Sequence, residues 1–72
     1  MNKTIVYPIL EGKIAERGIR KKSVAEALNI NQRTLGNKLA GKTAFTWDEV
    51  VTLQATFFDD VSKDALMVRS GA

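Results

Sequence analysis

Between Asn31 and Gly41 the chain reads NQRTLGNKLAG. Leu35 and Leu39 stand four apart, so a helix over residues 32–40 turns both to one side. Gln32, Arg33, Gly36, Asn37 and Ala40 are then left around its outer side. Gln, Arg and Asn are the side chains that can make two-point hydrogen bonds to adenine or guanine edges in the major groove. Gly36 allows close backbone approach, either to DNA or to a neighbouring helix. Lys21, Lys22 and Lys42, together with Arg20, supply positive charge that could neutralise flanking phosphates. Contact with about four to six phosphates predicts a log K against log salt slope of roughly −4 to −5. In isolation the same residues could equally solvate an exposed helix face and make a basic surface, so the surrounding elements have to decide.

Other chemistry is poorly provided for. The chain has no Cys and no His, which removes disulfides, thiolate and imidazole nucleophile systems, and nearly all zinc sites. Among eight carboxylates, Asp59 and Asp60 are the only adjacent aspartates, beside an expected helix end and without a glycine-rich loop to assist them. The expectation is a protein that is not an enzyme and carries no cofactor or metal.

The reading helix needs a frame. Seventy-two residues, 44% apolar and 26% charged, suit one small globular domain with a modest core. Tyr7-Pro8 opens a first helix, since proline fits the first helical turn, and Gly18 stops it. Leu10 and Ile14 share its inner face, with Tyr7 and Ala15 adjoining, while Gly12 weakens its regularity. A second helix runs from Lys21 to Leu28 and buries Val24, Ala25 and Leu28. Asn29 suits the left-handed turn that ends it, Ile30 plugs the core, and Asn31 is a favoured N-cap for the third.

Thr46-Trp47-Asp48-Glu49 has capping-box spacing and starts a fourth helix, Trp47 to Phe57, with Val50, Val51, Leu53 and Phe57 inward. A short fifth helix follows Ser62 and packs through Leu66 and Met67. Arg69 to Ala72 should fray. No run alternates as a strand would, so the expected fold is all-α, five short helices held by a shared core. Trp47 and Phe58 cannot both be buried easily, and one of them is left for a dimer or partner surface.

Charge divides along the chain. Residues 1–42 carry nine Lys/Arg against three Glu, whereas residues 43–72 carry Lys63 and Arg69 against Asp48, Glu49, Asp59, Asp60 and Asp64. A basic front and an acidic back point to one face that meets a polyanion. The N-terminal MNKTIVYPIL is too weakly charged and too short in apolar residues for a secretory signal, and no run reaches membrane-spanning length. A protein of the cytoplasm, without a membrane partner, is expected.

The block KKSVAEALNINQRTLGNKLAG meets the demands of a helix-turn-helix. Ala25 is small where the helices cross, Val24, Leu28, Ile30 and Leu35 are apolar, and Asn29 stands at the turn. With its flanks LEGKIAERGI and FTWDEVVTLQATF, this block resembles the Cro/CI-type (XRE-like) helix-turn-helix family, especially its small phage-associated members. The resemblance covers roughly residues 7–67 and includes Gly18, Ala25, Leu35, Leu39 and Gly41.

It implies a compact five-helix, lambda-repressor-like domain with the helix-turn-helix over residues 21–40 and the third helix in the major groove. Such proteins are usually dimers on palindromic operators in a bacterial host. By family position, Gln32, Arg33 and Asn37 are the base-reading residues, and Thr34 and Lys38 join Lys21, Lys22 and Lys42 on phosphate. The sequence departs from the family where the second helix begins. Arg20-Lys21 replaces the usual Thr/Ser-Gln, so the helix loses its cap and carries positive charge at its N-terminus. Two functions are therefore expected: a phage-type regulator that binds double-stranded operator DNA and controls a genetic switch, or an antirepressor that pairs with the phage repressor's helix-turn-helix domain and blocks its DNA binding.

Overall fold

The computed structural model describes residues 5–70, and within them the chain forms five helices and no strand. They are α1 (Pro8–Glu16), α2 (Lys21–Leu28), α3 (Gln32–Leu39), α4 (Trp47–Phe57) and α5 (Lys63–Leu66). The fold is all-α. Helix α2 packs against α3 and α4, while α5 closes the other end against α1 and α4. Leu10, Val24, Leu35, Leu53, Phe58 and Leu66 are the most completely buried large side chains, and they come from every helix and the α4 end. No one helix supplies enough apolar surface alone, so the five stand or fall together.

The boundaries follow local chemistry. Pro8 occupies the first turn of α1, and Gly18, at φ 65°, ends it, letting the Ile19 N–H reach back to the Ile14 carbonyl at 3.0 Å. The regularity of α1 survives Gly12. Ala15 is exposed, so the inner face of that helix is narrower than expected. At α4 the capping box closes in both directions: Glu49 N–H donates to Thr46 Oγ1 at 3.2 Å, and Thr46 N–H donates to Glu49 Oε1 at 2.9 Å. Ser62 caps α5 through the Ala65 N–H.

Several expectations shift at the margins. Helix α3 ends at Leu39, with Ala40 as its C-cap. Val51, Phe57 and Met67 are half-buried, and Phe57 and Met67 pack on the rim of the core. Arg69 and Ser70 do not fray. Arg69 lies over the Tyr7 ring at 5.4 Å, and the Ser70 N–H donates to the Val6 carbonyl at 2.8 Å, so the segments 6–7 and 69–70 lie together. Gly71 and Ala72 fall outside the described residues. Gly41, at φ 82°, lies against this junction, where a Cβ would come within 3.1 Å of the Arg69 guanidinium and 3.3 Å of Val6. No described helix is long and apolar enough to cross a membrane.

Candidate nucleic-acid interface

The turn between α2 and α3 sets what the third helix can present. Asn29 adopts φ 60°, ψ 42°, the only non-glycine residue with positive φ among those described. That conformation lets the Ile30 N–H return to the Ala25 carbonyl at 3.0 Å and the Asn29 N–H to Glu26 at 3.1 Å, closing the end of α2. Ile30 is half-buried and packs against the core. Asn31 then caps α3, its Oδ1 accepting from the Thr34 N–H at 2.7 Å. Ala25, 2% exposed, allows the close approach within the bend.

Helix α3 buries Leu35, Lys38 and Leu39, and its opposite side is open. Gln32, Arg33 and Gly36 are exposed, and Asn37 is half-buried beside them. Arg33 and Asn37, four residues apart, form one outward row. An added Cβ at Gly36 would meet nothing within 4 Å. Close packing against a neighbouring helix is therefore not what the glycine serves, and what it leaves is an outward strip of bare backbone.

Around this face, Arg20, Lys21, Lys22 and Lys42 are exposed. Arg20 occupies the N-cap position of α2 without making a side-chain cap, and no acidic residue stands in the first turn. The N-terminal N–H groups of α2 are thus left unanswered by any side-chain cap, a setting that favours an external anion. Lys21 reaches Glu11 Oε1 at 3.3 Å, an exposed pair that phosphate could displace. Thr34 is half-buried at the α3 start, with its backbone N–H already committed to Asn31.

Lys38 has to be corrected. It is 6% exposed, and its Nζ donates to the Ala44 carbonyl at 2.9 Å and pairs with Glu49 Oε1 at 3.0 Å. The Phe45 ring lies 6.0 Å away. Lys38 cannot touch phosphate from there; it ties α3 to the start of α4. The signal was in the sequence, because position 38 lies three residues after Leu35 and next to Leu39, on the inward side of the helix. Glu49 carries two tasks, completing the capping box and receiving Lys38. Burial pushes its carboxyl up, but hydrogen bonds from the Thr46 backbone N–H and Lys38, with the lysine's charge, outweigh this and hold it below the ordinary value.

At the opposite end, Arg17 donates to the Phe57 carbonyl at 2.9 Å and to Asp60 Oδ2 at 2.7 Å. The hydrogen bond from Arg17 lowers the Asp60 pKa, with help from the Asp60 backbone N–H. One member of the adjacent aspartate pair is thus occupied in joining α1 to the end of α4. Phe58 is fully buried while Trp47 is 69% exposed, which settles which of the two large aromatics the core leaves outside.

The fold and this face define a small five-helix domain with an outward polar helix flanked by cations. Comparison with protein-family models, curated proteins and solved structures finds no match.

Proposed function

We propose that the protein is a small phage-type transcriptional regulator of the Cro/CI class, a helix-turn-helix protein that binds operator DNA by laying α3 in the major groove. The observation that carries this reading is the split of α3: Leu35, Lys38 and Leu39 are locked inside, while Gln32, Arg33, Gly36 and Asn37 form its accessible side. A face that only needed to stay hydrated would gain from alanine at Gly36, which has the space for it. Arg33 and Asn37 read base edges from the outward row, and Gln32 reads from the N-terminal edge. Arg20, Lys22 and Lys42, with Lys21 released from Glu11 and Thr34 at the helix start, meet the phosphates on either side. Loss of Lys38 from this set lowers the expected salt slope to roughly −4.

Selection of bound duplexes from a random-sequence pool tests the reading. Enrichment of a defined motif is expected, with Arg33→Ala weakening binding to it by about 1–3 kcal/mol and relaxing one position. A pool that yields no motif, with uniform weak binding, would overturn it.

A second reading is favoured by two features. The α2 start lacks the hydroxyl cap and carries Arg20, Lys21 and Lys22, and Trp47 stands exposed on another face. An antirepressor that pairs with a repressor's helix-turn-helix domain would use such surfaces in place of base readout. The random pool would then yield no motif, while the protein would abolish the repressor's own DNA shift.

A further inference from the structure

Away from α2 and α3, the start of α4, the α5 helix and the segments at Tyr7 and Arg69 line an open cleft of about 270 Å³. Tyr7 and Phe45, edge to face with centroids 5.5 Å apart, make its floor with Met67. Trp47 forms one wall and is the most exposed large apolar side chain among the described residues. Two cations line the cleft. Lys63 Nζ lies 5.9 Å from the indole centre. The Arg69 guanidinium lies 5.4 Å from the centre of the Tyr7 ring and donates to its hydroxyl at 3.4 Å. Asp64 is the one carboxylate of the lining, so two cations less one acid leave the cleft with a net charge of +1.

Residues 43–72 hold five acids and only these two cations. The fold brings both cations to one cleft, and neither enters an ion pair among the described residues. Glu49 and Asp60 instead pair with cations from the other half of the chain, Lys38 and Arg17. A positive, aromatic recess is thus set in the acidic part of the sequence. Each cation rests on a ring, which restricts its motion before any ligand arrives, so an entering carboxylate meets donors already in place. Leaving an indole in water forfeits a large hydrophobic gain, and an apolar side chain of the same occupant would cover it.

The charges select the occupant. A second copy of the chain would set one net-positive cleft against another. A nucleic-acid strand carries a charge at every phosphate, and Asp64 would face one of them. A peptide can space its carboxylates singly and turn a backbone N–H toward Asp64. The cleft is smaller than the roughly 300–1,000 Å³ enclosures that hold small molecules, and fits one large side chain.

We propose that the Trp47–Lys63–Arg69 cleft binds an acidic peptide segment of a partner protein. One aromatic or large aliphatic side chain of that segment sits on Trp47 and Phe45, and its carboxylates meet Lys63 and Arg69. This assignment does not depend on the DNA reading, since none of the lining residues lies on α2 or α3.

Trp47 is the sole tryptophan, so its emission reports directly on the cleft. The probe is a blocked pentapeptide, a central phenylalanine with two aspartates on each side, titrated into the full chain from about 1 μM to 1 mM at low salt. A saturable emission change is expected, at least tenfold weaker when alanine replaces the phenylalanine and absent when lysines replace the aspartates. Lys63→Gln and Arg69→Gln should each weaken binding by up to about fivefold, and Asp64→Asn should strengthen it by a similar factor. Arg69 also holds Tyr7, so the decisive variant is Lys63→Gln, which loses only its place over the exposed indole and should leave Tm unchanged. No saturation by about 1 mM, equal binding of the lysine peptide, or an Asp64→Asn variant that binds less tightly would overturn the proposal. So would a blue shift that grows with protein concentration alone, which would assign the cleft to a second copy. The same holds if a short single-stranded oligonucleotide produces the emission change more tightly than the peptide.

Discussion

Lys38 and Glu49 show how one residue pair can serve two elements. The ammonium is held by the Ala44 carbonyl and the Glu49 carboxylate, and the same carboxylate answers the Thr46 N–H at the α4 cap. Removing one partner of a buried, hydrogen-bonded pair leaves the other charge stranded. Lys38→Met should therefore cost about 2–4 kcal/mol in chemical denaturation, and leave the slope of DNA affinity against salt unchanged. Lys22→Met and Lys42→Met should do the reverse, with little effect on stability and a slope shallower by about 1 each. Equal slope changes for all three lysines would contradict the burial of Lys38. A pH dependence follows as well. The Glu49 carboxyl is depressed in the folded state, so its contribution is full above the unfolded carboxylate pKa and is lost as pH falls through the folded one. Stability should drop on acidification below about pH 4.5, and the drop should be smaller in Glu49→Gln, measured by urea midpoints across pH.

At the scale of elements, the two central helices are built unevenly. Helix α3 begins with a proper cap at Asn31, whereas α2 begins at Arg20 with none. Arg20→Ser should supply the missing acceptor and stabilise the fold by about 1 kcal/mol, seen as a higher Tm. Under the DNA reading it should also weaken binding, since a phosphate-facing charge is lost. Gly36 separates stability from function in the same way. Alanine has room there and raises helix propensity, so Gly36→Ala should gain up to about 1 kcal/mol in stability. If α3 lies in the groove, the added methyl should reduce DNA affinity in a binding titration. A variant both more stable and equally tight would show that the outward strip of α3 is not in contact.

For the whole molecule, the charge division of the sequence follows the order of the helices. The exposed cations Arg20, Lys22, Arg33 and Lys42 lie on or beside α2 and α3, while Asp48, Asp59 and Asp64 lie on or after α4. The two halves are joined by contacts that distance along the chain conceals, such as Arg17 with Asp60 and Arg69 with Tyr7.

The five helices, their caps and most of the core were legible in the sequence, because these are short-range matters. Apolar spacing of three and four fixes a helix face, and proline, glycine, asparagine and Thr-x-x-Glu mark its ends through local backbone chemistry. Asn29 and Asn31 could be assigned from their neighbours alone, as could the outward placement of Gln32, Arg33 and Asn37. What only the tertiary structure decided was how distant residues share space. The positions of Trp47 and Phe58 make it hard to bury both, but only the packed core, with Leu10, Leu53 and Leu66, admits Phe58 and leaves Trp47 outside. Lys38 shares the inward side of its helix with Leu35 and Leu39, but what accepts its charge there, Glu49 eleven residues on and the Ala44 carbonyl, comes to meet it only in the fold. A buried charge is tolerated only where its partners are already assembled, and their assembly is a property of the fold, not of any local stretch of chain.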